Sequence, residues 1–336
     1  MKVLFYHLMP FALAHGGLAA QILRTRDALQ AAGVKVECLR WWDDRQTGDL
    51  IHCFGRMPTE MLRFAQQKGM KVVQAELLTE QGSRSGARLR LQQILMRAMR
   101  CAVPPKMVAG FQWESYRLAD ACIALTAWEA RLMASLFGAP PERIHVIPNG
   151  TERVFLQSHP ARRGPWLVCT ATITGRKRVL ELAETAVRAQ TPLWVLGKPY
   201  SASDAYAQRF LALARAHPQM IRYEGPVEDR VKLAQVYRAA RGFVLLSAME
   251  TMSLSALEAA ACECPLLLSD LPWARTVFGP GAAYCPITGS AARAAAYLRA
   301  FYDAAPGLKP PPRPLAWLEV GQQLKRLYET LLSTSR

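Results

Sequence analysis

Short apolar runs rich in Val, Ile and Leu, four to seven residues long, alternate with amphipathic stretches along most of this chain. That alternation constrains the fold more than any other feature, because strands covered by helices on both faces read as continuous apolar runs. The fold class is therefore α/β. In the first half KVLFY (2–6), VKVECL (34–39), DLIHCF (49–54), KVVQ (71–74), ACIAL (121–125) and RIHVI (143–147) are expected strands. The second half repeats the pattern with WLVCTAT (166–172), PLWVLG (192–197), MIRYEG (220–225), GFVLLS (242–247) and PLLLSD (265–270), which predicts a second doubly wound lobe.

Between the two sets lies VFLQSHPARRGP (154–165), polar, Pro-containing and without a period. It sets expected boundaries of 1–155 for the first lobe, 156–165 for a linker and 166–305 for the second lobe. The proline-rich APGLKPPPRP (305–314) then precedes an amphipathic helix expected over 315–333. Such a tether allows that helix to leave the second lobe and pack across the first; docking on its own lobe is the plainer alternative.

Composition removes several classes of protein. The 336 residues, 51% hydrophobic, suffice for two domains, and no apolar run approaches the roughly 18 residues of a bilayer-spanning helix. Forty-two Lys and Arg against 26 Asp and Glu leave a charge of +16, which favours an anionic partner: a phosphorylated ligand, an acidic lipid surface or nucleic acid. The eight cysteines sit mostly in apolar runs, and Cys262 with Cys264 lacks the second cluster that a zinc site needs. Lys2 and the apolar stretch ending in Ala12-Leu13-Ala14 imitate a signal peptide, but His7 and Pro10 interrupt it, so a first strand and a cytosolic residence are expected.

Open α/β sheets bind ligands beyond the carboxyl ends of their strands, so the loops there carry the chemistry. After the first strand come Gly16 and Gly17, at a helix start where unpaired amides suit an anion; the spacing is not GxGxxG, and a simple turn is the alternative. After WLVCTAT come Arg176, Lys177 and Arg178 at the start of a helix. That placement opposes the helix dipole unless an anion intervenes, and a diphosphate clamp with Lys177 best placed competes with a solvated basic turn. After GFVLLS, Glu250 and Glu258 bracket a strand-to-helix turn. Ser255 and Glu258 fit a capping box. Glu250 has no such explanation, and a carboxylate at the mouth of a buried strand suits the hydroxyls of a sugar or ribose.

With these segments in view the sequence resembles a family-four glycosyltransferase of the GT-B fold over nearly its whole length. The likeness rests on the E-x7-E segment Glu250–Glu258 with its Ala-rich helix and Pro265, on the Gly16-Gly17 loop, and on LTAWEARLMASLFGAPPERIHVIPNG (125–150). RYEGPVEDRVKLAQVYRAARGFVLLS (222–247) and the final helix add to it. The resemblance implies two Rossmann-like lobes facing each other across a cleft, with the last helix crossing back to the first. It also implies a retaining, metal-independent transfer from a nucleoside diphosphate sugar, of the UDP or GDP type, with no cofactor. Glu258 would then meet the donor ribose, Glu250 the transferred sugar, and Lys177 the diphosphate. Gly16, Gly17, Arg176, Arg178, Gly197 and the amides of Ser253 and Leu254 would complete the donor site.

The pattern departs from the family in two places. The family's Arg five residues before the phosphate Lys is here Thr172, with Arg176 or Arg178 as substitutes. Its sugar-contacting His after the fourth strand is replaced by Gln74 and Glu76, with His15 and His52 as alternatives. A non-catalytic glycosyltransferase-like subunit is the rival reading these departures support. An epimerase or phosphorylase is a rival within catalysis, and a nucleic-acid partner is not expected, since the basic residues form no recognisable module.

Between Glu80 and Glu114 no acidic residue occurs, while Arg84, Arg88, Arg90, Arg97, Arg100 and Lys106 do. On a helix Arg90, Gln93, Arg97 and Arg100 share one strip, with Leu91, Ile94, Leu95, Met96 and Met99 over the remainder. Residues 84–106 are thus an expected contact with an anionic membrane, competing with a helix packed on the sheet with a basic outer edge. The acceptor expected is a glycan or lipid-linked molecule of the cell surface, met at the inner face of the cytoplasmic membrane.

Overall fold

The computed structural model describes residues 1–8, 11, 16–103, 107, 109–158 and 161–333. The chain divides into two compact units, Met1–Asn149 with Trp317–Arg336, and Gly150–Ala316. The division falls at 149/150, ahead of the stretch expected as linker, because Arg153–Leu156 is a short helix packed within the second unit: Phe155 is fully buried there. His15 and Lys106 lie outside the described residues.

The first unit holds a parallel sheet of β1 (Lys2–Tyr6), β2 (Lys35–Cys38), β3 (Leu50–Cys53), β4 (Lys71–Gln74), β5 (Ala121–Ala124) and β6 (Ile144–Val146). Their order is β2-β1-β3-β4-β5-β6. The second holds β7 (Leu167–Thr170), β8 (Leu193–Leu196), β9 (Ile221–Tyr223), β10 (Gly242–Leu245), β11 (Leu266–Ser269) and β12 (Ala283–Cys285), ordered β12-β11-β10-β7-β8-β9. All eleven expected strands form, each within its expected range. The twelfth, β12, is three residues long and ends at Cys285, just before Pro286, too brief for an apolar run to stand out. Strand order reverses between β1 and β3 in one sheet and between β7 and β10 in the other, and these are the switch points where such sheets receive ligands.

The Trp317–Ser333 helix packs against the Gly17–Ala31 helix of the first unit, burying Val320, Leu324, Leu327 and Tyr328. Each such side chain contributes roughly 1.5–3 kcal/mol. Gly321 permits the approach, since a Cβ there would stand 2.4 Å from the Ala28 carbonyl oxygen. Tyr328 is fully buried, and its hydroxyl lies 2.5 Å from Nδ1 of His52, itself stacked on Phe54. The proline-rich tether follows the second unit before the chain crosses back: Pro311 and Pro312 crowd Gly281, and Leu315 accepts from the Thr151 amide at 2.8 Å.

Candidate active site

The carboxyl ends of β7 and β10 lead into the two loops that carry the charges singled out in the sequence. After β7, the Thr174 carbonyl accepts from the Lys177 amide at 3.1 Å and the Arg178 amide at 3.0 Å, so the chain turns tightly. Arg178 then caps the Val179–Ala189 helix in a left-handed conformation, φ 52°. The Arg176 carbonyl ties the two loops together by accepting from the Ala248 amide at 2.8 Å.

This geometry brings Lys177 and Arg176 onto Glu250. Lys177 donates to Oε1 of Glu250, and Arg176 donates to the same oxygen at 3.4 Å and to the Met249 carbonyl at 3.1 Å. Arg178 turns elsewhere and donates to the Ile287 carbonyl at 3.2 Å. All three cations at this helix start thus have acceptors, a buried carboxylate shared by two of them and a carbonyl for the third, but one carboxylate leaves the cluster net positive. Glu250 is 7% exposed, and these two cations are partners of the kind that such a position requires.

Glu250 leads to the Leu254–Ala261 helix, whose N-cap is Ser253: its hydroxyl accepts from the Ala256 amide at 3.4 Å. The expected capping box of Ser255 with Glu258 does not form. Ser255 lies inside the first turn, where its hydroxyl pairs with that of Ser253 at 3.1 Å. Glu258 accepts instead from Arg230 and, at 3.5 Å, from the Tyr237 hydroxyl. Arg230 also donates to Glu152 at 2.7 Å and lies over the Phe155 ring at 4.7 Å. Burial lifts the Glu258 carboxyl above its ordinary range, against the pull of Arg230. Sequence reasoning missed Arg230 because its partners are 78 and 28 residues away.

Gly197 follows β8 at φ 151°, and a Cβ there would stand 1.9 Å from the Ala171 carbonyl oxygen, so the close approach that demands glycine is to the β7 loop. Beside this cluster, Arg178, Leu246, Ser269, Cys285 and Ser290 border a cavity of about 400 Å³.

In the first unit Gly17 opens its helix and Gly16 is the N-cap, φ 145°, with no side-chain cap among the described residues. Of the residues considered in place of the sugar-contacting His, the three that are described, Gln74, Glu76 and His52, are engaged or enclosed. Gln74 ends β4 fully buried, its amide without a partner among the described residues. Glu76 accepts from Arg56 at 2.6 Å and from Tyr116. Burial drives His52 down to about 3, so it is neutral. Among the described residues no group of three or more His, Cys, Asp or Glu converges on a metal-sized site.

These features define a two-lobed α/β protein of the GT-B class, with an acid, two cations and a helix start gathered at one switch point. Residues 164–303 match the family model described as glycosyl transferases group 1, and residues 38–153 match glycosyltransferase family 4. The chain belongs to the family-four GT-B glycosyltransferases. It is similar to a D-inositol 3-phosphate glycosyltransferase of Acidothermus cellulolyticus, 30% identical over 170 residues, 44% of this chain and 38% of that protein. It is also similar to D-inositol 3-phosphate glycosyltransferase 1 of Catenulispora acidiphila, 28% identical over 224 residues, 60% of this chain and 53% of that one. The chain thus spans roughly two-fifths to half the length of these relatives. Among solved structures, a sucrose-phosphate synthase of Thermosynechococcus elongatus shares the fold with a TM-score of 0.69 at 16% identity, covering 99% of both chains. Anabaena HepE in complex with UDP and glucose does so with a TM-score of 0.62 at 13% identity, covering 98% of this chain and 99% of that one.

Proposed function

We propose that the chain is a retaining glycosyltransferase that moves a sugar from a nucleoside diphosphate donor to a hydroxyl of a glycan or lipid-linked acceptor. The observation that carries this reading is the convergence of Lys177 and Arg176 on buried Glu250 beside the Ser253 helix start. The donor diphosphate replaces the Glu250 carboxylate as the partner of Lys177, and Glu250 turns to the sugar hydroxyls as a charged acceptor. As the anomeric C–O bond breaks, negative charge grows on the departing diphosphate. Lys177, Arg176 and the amides of Ser253 and Leu254 stabilise it there, without assigning that task to a metal ion. The acceptor oxygen attacks from the face the diphosphate leaves, and its proton passes to a diphosphate oxygen, which retains the anomeric configuration. Glu258, oriented by Arg230 and Tyr237, accepts from the ribose hydroxyls. Gly16 and Gly17 are assigned to donor phosphates by family likeness alone.

Arg176 supplies the positive charge that Thr172 does not, which favours catalysis over a non-catalytic subunit. For the acceptor, a cell-surface glycan or glycolipid met at the cytoplasmic face of a membrane is proposed. A small phosphorylated cyclitol is the second reading, favoured by the names of the curated relatives. A thermal-shift panel of UDP, GDP, ADP and TDP sugars tests donor binding, since a ligand at 100 times its Kd adds about 2.7 kcal/mol. The stabilising donor is then offered with inositol phosphate or with lipid-linked glycans; release of free nucleoside diphosphate with no glycosylated product from either would overturn the reading.

A further inference from the structure

The Gly86–Ala102 helix turns a narrow face to its own unit and a broad one to solvent. Leu89 and Met96 are buried, Gln92 contacts the Met96 sulfur at 3.7 Å, and Gln93 donates to the Ser135 carbonyl at 3.1 Å. On the opposite side Leu91, Ile94 and Leu95 are 58%, 63% and 54% exposed. At 100° per residue these three and Ala98 fall within an arc of about 100°. Arg90 and Arg97 bound that arc on one side and Arg88 on the other, all exposed and without an acidic partner among the described residues. A helix with one apolar stripe inward and a second outward, edged by cations, has the form of an element lying in an interface.

We infer that this helix docks the protein on an anionic lipid surface through Leu91, Ile94 and Leu95, with Arg88, Arg90 and Arg97 at the level of the lipid phosphates. The sequence alone put the basic strip forward as the contact; the packing makes the exposed aliphatic row the inserted face. Charge selects this occupant: the segment from Gln81 to Trp113 contains no acid, so an anionic surface meets no repulsion there, and the long arginine side chains reach the phosphates while the row between them is buried. The inference deepens the proposed action at a membrane but uses no catalytic residue, and its readout is lipid binding, so it fails or stands apart from the transfer reaction.

The test is co-sedimentation of the full chain with phosphatidylcholine vesicles and with vesicles also containing phosphatidylglycerol, at low and high salt, with transfer to a soluble acceptor measured alongside. The expected result is salt-sensitive binding to the anionic vesicles only. Leu91→Gln/Ile94→Gln and Arg90→Glu/Arg97→Glu should each weaken it by roughly tenfold or more with the melting temperature unchanged. Equal binding to neutral vesicles, indifference to both double variants, or a solution dimer that Leu91→Gln/Ile94→Gln dissociates while lipid binding is absent would each overturn the inference.

Discussion

Lys177 and Glu250, one in each loop that leaves the switch point of the second sheet, form an ion pair in which the lysine is 13% and the carboxylate 9% exposed. Two charges withdrawn from water are stable only while paired, so each of these side chains holds the other in place. In the proposed reaction an incoming diphosphate, which has the sign and the oxygen acceptors to take the lysine, would release the carboxylate beside the sugar it carries. On that proposal the same contact would couple diphosphate binding to the positioning of Glu250.

Arg230 should prove as consequential as the residues of the E-x7-E segment. Arg230→Ala leaves Glu258 with Tyr237 as its remaining partner at 3.5 Å and should cost about 1–3 kcal/mol of stability. Calorimetric titration should show nucleoside diphosphate affinity falling while inorganic pyrophosphate binds as before, since only the ribose contact is disturbed. An equal loss for both ligands would contradict the ribose assignment.

Two glycines separate packing from function. Gly321→Ala places a methyl group 2.4 Å from the Ala28 carbonyl oxygen and should cost about 1–3 kcal/mol by overpacking, read as a lower melting temperature. Gly17→Ala meets nothing within 4 Å, so it should leave the melting temperature in place. A fall in donor affinity in Gly17→Ala then reports a backbone approach to phosphate; unchanged affinity removes Gly17 from the donor site.

Acid should loosen the first unit through His52. Its pKa is depressed from 6.5 to about 3 by burial, so the folded state binds fewer protons than the unfolded chain between those values. The stability it contributes is therefore present above pH 6.5 and lost as pH falls toward 3. Glu129, raised to about 7 by burial, acts in the opposite sense, losing its contribution as pH rises from 4.5 to 7, so the comparison must be made between variants. His52→Asn keeps a group able to bond Tyr328 and removes the titration. Melting curves should show the parent losing more stability than His52→Asn on acidification; parallel curves would contradict the assignment.

The sheets were legible in the sequence because their inner strands are buried on both faces and read as apolar runs, as in Leu266–Ser269. Short β12 escaped, having neither length nor apolar purity. Lys177 and Glu250 were legible as residues because each lies in the loop between a strand and the next helix, yet their pairing was not, since it spans 73 positions. The capping box misled because spacing alone does not tell which serine ends the helix: Ser253, two residues earlier, took the cap and left Glu258 to Arg230. For the Gly86–Ala102 helix, periodicity located the charges but not the inward face, which the burial of Leu89 and Met96 decides.

The central claim is that Lys177 exchanges Glu250 for a diphosphate. It is tested most directly by titrating the parent, Glu250→Ala and Lys177→Ala with the nucleoside diphosphate that stabilises the protein best, and by assaying sugar transfer in the same preparations. Glu250→Ala should abolish transfer while binding the nucleoside diphosphate within about threefold of the parent, and Lys177→Ala should lose both, its affinity falling roughly tenfold to a hundredfold. Full transfer by Glu250→Ala, or undiminished affinity in Lys177→Ala, would contradict the account.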